Sequence, residues 1–98
     1  MDDAALLTAA ADRLAELAGR TTGGRWERRG LLASRPEVVA VLPGGRTEHV
    51  AEARAATADW VTALSPAVAA PLAGWLRSAA GAAPVPPAAV ALARELLR

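Results

Sequence analysis

The sequence predicts an α+β fold: an N-terminal helix, a short antiparallel meander of two or three strands, then three C-terminal helices, all within one small domain spanning residues 1–98. Three observations lead there. Apolar residues recur at three- and four-residue steps in the first eighteen residues and again after residue 55, the signature of amphipathic helices. Between them lies a Val-rich run closed by Pro43-Gly44-Gly45, a strand followed by a turn. And 98 residues suffice for one modest core and leave no room for a second domain.

Taken in order, Leu7, Ala10, Leu14, Leu17 and Ala18 share one face of a helix from Asp3 to Ala18. Asp2 and Asp3 stand where the helix dipole favours anions, Gly19 is placed for a left-handed cap, and Arg20 lies near the negative end. Thr21 to Gly24 is turn-like. Trp26 to Ala33 and Glu37 to Leu42 read as short extended segments, separated by Ser34, Arg35 and Pro36. Thr47 to Ala51 is expected to return as a third strand, the alternative being that it already begins the next helix. Ala55 to Leu64 places Ala56, Trp60, Val61 and Leu64 at helical spacing, and Ser65-Pro66 supplies an N-cap and a first-turn proline for a further helix ending at Ala80. Its expected core stripe is Val68, Leu72, Trp75, Leu76 and Ala79, with a kink near Ala67 because Pro71 lies inside it. Gly81 closes that helix, Ala82 to Pro86 is a stiff linker, and Pro87 opens a last helix carrying Val90, Leu92, Ala93, Leu96 and Leu97.

The composition is 53% hydrophobic, but Ala dominates it, and Phe, Tyr and Ile are absent. Ala buries little area per residue, so the core is expected to be thin and to use Trp26, Trp60 and Trp75 as anchors. All eleven basic residues are Arg, a bias that with the Ala, Gly and Pro content reflects GC-rich coding rather than chemistry. The absence of Cys excludes disulfides, thiolate catalysis, Cys-type zinc sites and iron–sulfur clusters. Acidic Asp2 and Asp3 replace the basic start of a signal peptide, and no run approaches the roughly 18 apolar residues of a membrane span. A cytoplasmic location is expected.

Four islands of sequence carry a family resemblance. The N-terminal helix leads to Thr22, Gly24 and Trp26, a Thr-x-Gly-x-Trp signature. Ala58, Asp59, Trp60 and Val61 are followed by Pro66, Ala67 and Val68. Leu72, Ala73, Gly74, Trp75 and Leu76 form a Leu-Ala-x-Trp-Leu segment, and Val90, Ala91, Leu92, Ala93 and Arg94 make a closing helix. In order and spacing these resemble small actinobacterial phage-associated accessory proteins related in pattern to the Ead-type phage proteins; Pro71 departs from that pattern. The resemblance implies a phage, prophage or mobile-element context. It transfers no catalytic residue, because the family has no established activity.

Chemistry-bearing residues are sparse. His49 is the single histidine, with Glu48 and Glu52 nearby, but two ligand types without further His or Cys fall short of the three or four protein ligands of a zinc site. Ser34, Ser65 and Ser78 have only His49 as an available base, and no G-x-S-x-G elbow occurs. Asp12 with Glu16, or Glu48 with Glu52, are read as solvated surface carboxylates rather than an acid/base couple. Gly23-Gly24 and Gly44-Gly45 lack the flanking pattern of a phosphate loop and are read as turns. No catalytic, cofactor-binding or metal-binding residue is therefore expected, and the chain is not expected to be an enzyme.

The uneven charge feature is Arg20, Arg25, Arg28, Arg29, Arg35 and Arg46 against Glu27 and Glu37. Arg25, Arg28, Arg29, Arg35 and Arg46, with Trp26 beside them, form the expected interaction surface, since Arg and Trp are the usual anchors of interfaces. The expected function is that of a non-enzymatic accessory protein acting through protein contacts, with self-association a further expectation for so thin a core. The partner's identity does not follow from the sequence. The alternative is a small nucleic-acid-binding regulator using the same arginines; against it stand a net charge of +1, an acidic first helix and few aromatic residues.

Overall fold

The first helix starts where the sequence provides a cap. The Asp2 carboxylate accepts the Ala5 N–H at 2.7 Å, which satisfies a donor that a helix start leaves without a partner, and the Asp2 carbonyl accepts the first intrahelical bond, from the Leu6 N–H at 2.9 Å. The computed structural model describes residues 1–30 and 35–98. Helix α1 (Asp3–Arg20) is followed by strands β1 (Arg25–Arg29), β2 (Glu37–Val41) and β3 (Thr47–Glu52), then by helices α2 (Ala55–Ala63), α3 (Ala69–Ala80) and α4 (Pro87–Leu97). The three strands form one antiparallel sheet in the order β1-β2-β3. This is the expected α+β order, with the third strand present. The expected continuation of the first strand to Ala33, and the break at Ser34, lie outside the described residues.

Two compact units make up the fold, Met1–Arg20 with Ala69–Arg98 and Thr21–Val68. The first contains α1, α3 and α4. Leu7, Ala10 and Ala11 of α1, Ala73, Leu76 and Ala79 of α3, and Ala89, Val90 and Ala93 of α4 form its buried cluster, with Leu6, Leu14, Val85, Leu92 and Leu96 packed at the margin. Six of the nine buried residues are Ala, which lets helix backbones approach closely while Leu7 and Leu76 fill the space between them. Arg77 reaches Asp12 at 3.1 Å and ties α3 to α1 on the surface.

The expected stripes keep Leu7 and Ala10 of α1 and Leu76 and Ala79 of α3 in the interior, but the buried faces are narrower than expected and centred on alanines. On α3 the buried positions are Ala69, Ala73, Leu76 and Ala79, so Trp75 is 45% exposed rather than core, and Leu72 is only half-buried. On α1 the buried face ends at Ala11, with Leu14 at its margin and Leu17 exposed. Close helix contact selects small side chains for the centre of the seam, and the large ones are displaced to its flanks.

Proline placement differs from expectation as well. Pro66–Val68 is a separate 3-10 turn, closed by the Val68 N–H donating to the Ser65 carbonyl at 2.9 Å, and α3 begins only at Ala69. Pro71 is thus the third residue of its helix, where the N–H it lacks has no intrahelical partner to lose. Gly19 is not a left-handed cap: α1 runs on through it to Arg20, supported by the Glu16–Arg20 pair at 3.6 Å. The first positive φ falls instead at Gly24, at +85°. A Cβ there would stand 2.8 Å from the Val41 carbonyl oxygen, so both the dihedral and the close approach of β2 require glycine.

In the second unit β2 is the central strand, and its Val38, Val39 and Ala40 are buried. The register pairs Trp26 with Ala40 and Arg28 with Val38, and an irregularity between Val38 and Val39 shifts the pairing with β3. Gly44 and Gly45, at φ +80° and +77°, close the β2–β3 turn, where the Leu42 N–H donates to the Arg46 carbonyl at 2.7 Å. Helix α2 packs against β1 and β2 through Ala58. Trp26 is half-buried, its indole N–H donating to the Thr22 carbonyl at 3.1 Å. Among the described residues, no helix is long and apolar enough to cross a membrane.

Candidate interaction surfaces

Strand alternation sorts the arginines of β1. Side chains two residues apart share a face, so Arg25, Glu27 and Arg29 lie on one side of the sheet and Trp26 and Arg28 on the other. The expected grouping of arginines around Trp26 is therefore split. Arg25 meets Glu27 at 2.7 Å and Arg29 meets the other oxygen of the same carboxylate at 3.3 Å. That arrangement holds the Glu27 carboxyl below its ordinary value, chiefly through the hydrogen bond from Arg25 and then that from Arg29. On the opposite face, Arg28 reaches Asp59 of α2 at 3.2 Å.

Arg35 and Arg46 are exposed and lie outside β1, Arg35 just before β2 and Arg46 just before β3. Pairing of β3 with β2 also brings Glu48 and Glu52 alongside the sheet. Over residues 21–68 six arginines meet five carboxylates, so folding leaves this unit close to neutral. His49 lies on β3, exposed, with its Nδ1 2.5 Å from Glu37 Oε2. It pairs diagonally across two strands with Glu37, not with its sequence neighbours Glu48 and Glu52.

Helix α2 presents a surface that the sequence stripe assigned to the core. Ala58 is the buried residue of this helix, and Trp60, two positions on, points about 200° around the helix axis from it. Trp60 is 69% exposed, and Leu64, the residue that caps the end of α2 one turn later, is 55% exposed. Ala56, one turn earlier, completes an outward apolar stripe, with exposed Ala63 beside it. Neither Trp60 nor Leu64 serves the interior. A sequence signal existed: Ala55, Ala56, Ala58, Trp60, Val61, Ala63 and Leu64 surround the helix on every side, and a helix covered on one side only must leave part of such a circumference in water.

No family model, curated protein or solved structure matches the chain. The site reading therefore rests on the geometry of these two surfaces. The sheet face offers charges already engaged with one another. The outer face of α2 offers a large aromatic and a leucine with no charged side chain among them, and large apolar side chains at adjoining exposed positions mark contact sites on soluble proteins.

Proposed function

We propose that this chain is a non-enzymatic, cytoplasmic protein-interaction module, and that its contact surface is the outer face of α2. The observation that carries the reading is the exposure of Trp60 beside Leu64. Tryptophan is the residue most enriched among the few that dominate interface energetics, because it contributes large rigid area at little entropic cost. A stripe of Ala56, Trp60 and Leu64, each about one turn from the next, is the kind of apolar face that a helix lays into a partner's groove. A phage or mobile-element setting is part of the proposal and is supported by the resemblance of the four sequence islands alone.

The arginine surface supports the nucleic-acid alternative less well. Arg25 and Arg29 share Glu27, and Arg28 is engaged by Asp59, so phosphate would have to displace carboxylates already in place. Site-specific photocrosslinking in native host cells tests the module directly. A photoreactive residue at position 60 or 64 is expected to yield covalent protein adducts that the same group at exposed Ala91 does not. Equal or absent adducts at all three positions would remove the reading.

A further inference from the structure

Building on that reading, we infer that the occupant of the α2 face is the α2 of a second copy of this chain, packed antiparallel about a twofold axis through Trp60. The stripe is complementary to itself in that one arrangement. With Trp60 on the axis, Ala56 of each copy meets Leu64 of the other, small against large at both ends, while the two indoles meet offset at the centre. A parallel pairing would set Leu64 against Leu64 and Ala56 against Ala56, crowding one end of the seam and leaving a void at the other.

Electrostatics select the same direction. Helix α2 has no acidic residue in its first turn and no basic residue in its last, so its own side chains do not offset the partial charges at its ends. Antiparallel packing sets the positive end of each helix beside the negative end of the other. It also carries exposed Arg54, the residue just before α2, to the C-terminal turn of the second copy's α2. Asp59, the acidic residue of α2, is held towards β1 by Arg28 and leaves the seam free of like charges.

Area sets the strength. A helix of nine residues is roughly 14 Å long, so the seam holds only a few side chains of each copy, against the roughly 20–30 residues a side of stable interfaces. The dimer is therefore weak and concentration-dependent, formed where the protein is abundant.

Sedimentation equilibrium across micromolar to millimolar protein, with circular dichroism to verify folding, reads this out. The wild-type protein should shift from monomer to dimer, and Trp60→Ala should weaken the dimer by roughly tenfold or more, as for an interface anchor. Ala56→Leu alone should also weaken it, by opposing Leu to Leu. The swap Ala56→Leu with Leu64→Ala should restore it, because the antiparallel register then pairs the same residues in exchanged positions. All these positions are exposed, so the variants keep the fold. Failure of the swap to recover association, or a dimer indifferent to Trp60→Ala, overturns the twofold arrangement. A strict monomer at millimolar concentration overturns self-association, and photocrosslinks from position 60 to a different protein would then leave the module standing without it.

Discussion

In the three-helix unit the large apolar side chains Leu7 and Leu76 are fully buried among alanines, whereas in the sheet unit Val38 is, among the described residues, the largest side chain that is fully buried, and Trp60 and Leu64 lie outside. Both units draw on the same Ala-, Val- and Leu-rich alphabet. The difference lies in what each helix can face. Helices α1, α3 and α4 each meet another helix of their own unit, so the centre of each apolar stripe finds a counterpart, with Leu17, Trp75 and Leu97 left exposed at the flanks. Helix α2 rests on a sheet through Ala58, with Val61 half-buried beside it, and its Ala56–Trp60 side has no counterpart among the described residues of the unit. The contrast separates residues that hold the fold from residues available for contact, and it makes the two sets respond differently to substitution.

The largest effect should come from the helical unit. Leu76→Ala empties a fully buried site and should lower the unfolding free energy by about 2–5 kcal/mol, the range for leucine deletions in cores, as measured by urea denaturation. A loss below about 1 kcal/mol would indicate that the alanine seam closes without its leucines. Next comes Gly24→Ala, which forces a side chain into φ +85° and against the Val41 carbonyl. A cost of about 1–3 kcal/mol is expected, and because the contact falls on the β1–β2 side of the sheet unit, loss of hydrogen-exchange protection should concentrate in β2.

A smaller effect concerns charge. Glu27 has its carboxyl pKa depressed in the folded chain by Arg25 first and Arg29 second. The group binds its proton less readily when folded, so its stabilising contribution is complete above the ordinary carboxylate pKa and disappears as the pH falls through the depressed folded value. Carboxyl-detected NMR should show a Glu27 midpoint below the ordinary value, moving upward in Arg25→Ala and less far in Arg29→Ala. An unmoved midpoint in both variants would mean that the shared carboxylate is not formed in solution. Since all three side chains are substantially exposed, salt should shrink the effect.

Much of the architecture was legible in the residues. Periodicity placed four helices, and Val density with Pro43-Gly44-Gly45 placed β2 and its turn, while the residues from Thr47 left strand and helix both open until pairing with β2 made them β3. What escaped was rotation. The periodic stripes of α2 and α3 each admitted a neighbouring face, and burial of Ala73 over Trp75, or of Ala58 over Trp60, depends on how closely the opposing surface approaches, which hydrophobicity alone does not encode. Pro71 was misleading for a similar reason, since its place in the first turn of α3 follows from where that helix begins. The arginines were visible as a run, but their partners were not: Glu27 divides Arg25 from Arg29 by strand alternation, and Asp59 lies 31 residues from Arg28 in the chain. The α2 face was present in the sequence as an apolar circumference, assigned to the core because a chain without Phe or Tyr was expected to need its indoles inside.

Whether Trp60 serves contact rather than the interior is decided by urea unfolding of Trp60→Ala at protein concentrations too low for association. An unfolding free energy within about 0.5 kcal/mol of the wild-type value is expected, as for a surface substitution. A loss of about 3–5 kcal/mol, the cost of removing a buried tryptophan, would contradict it.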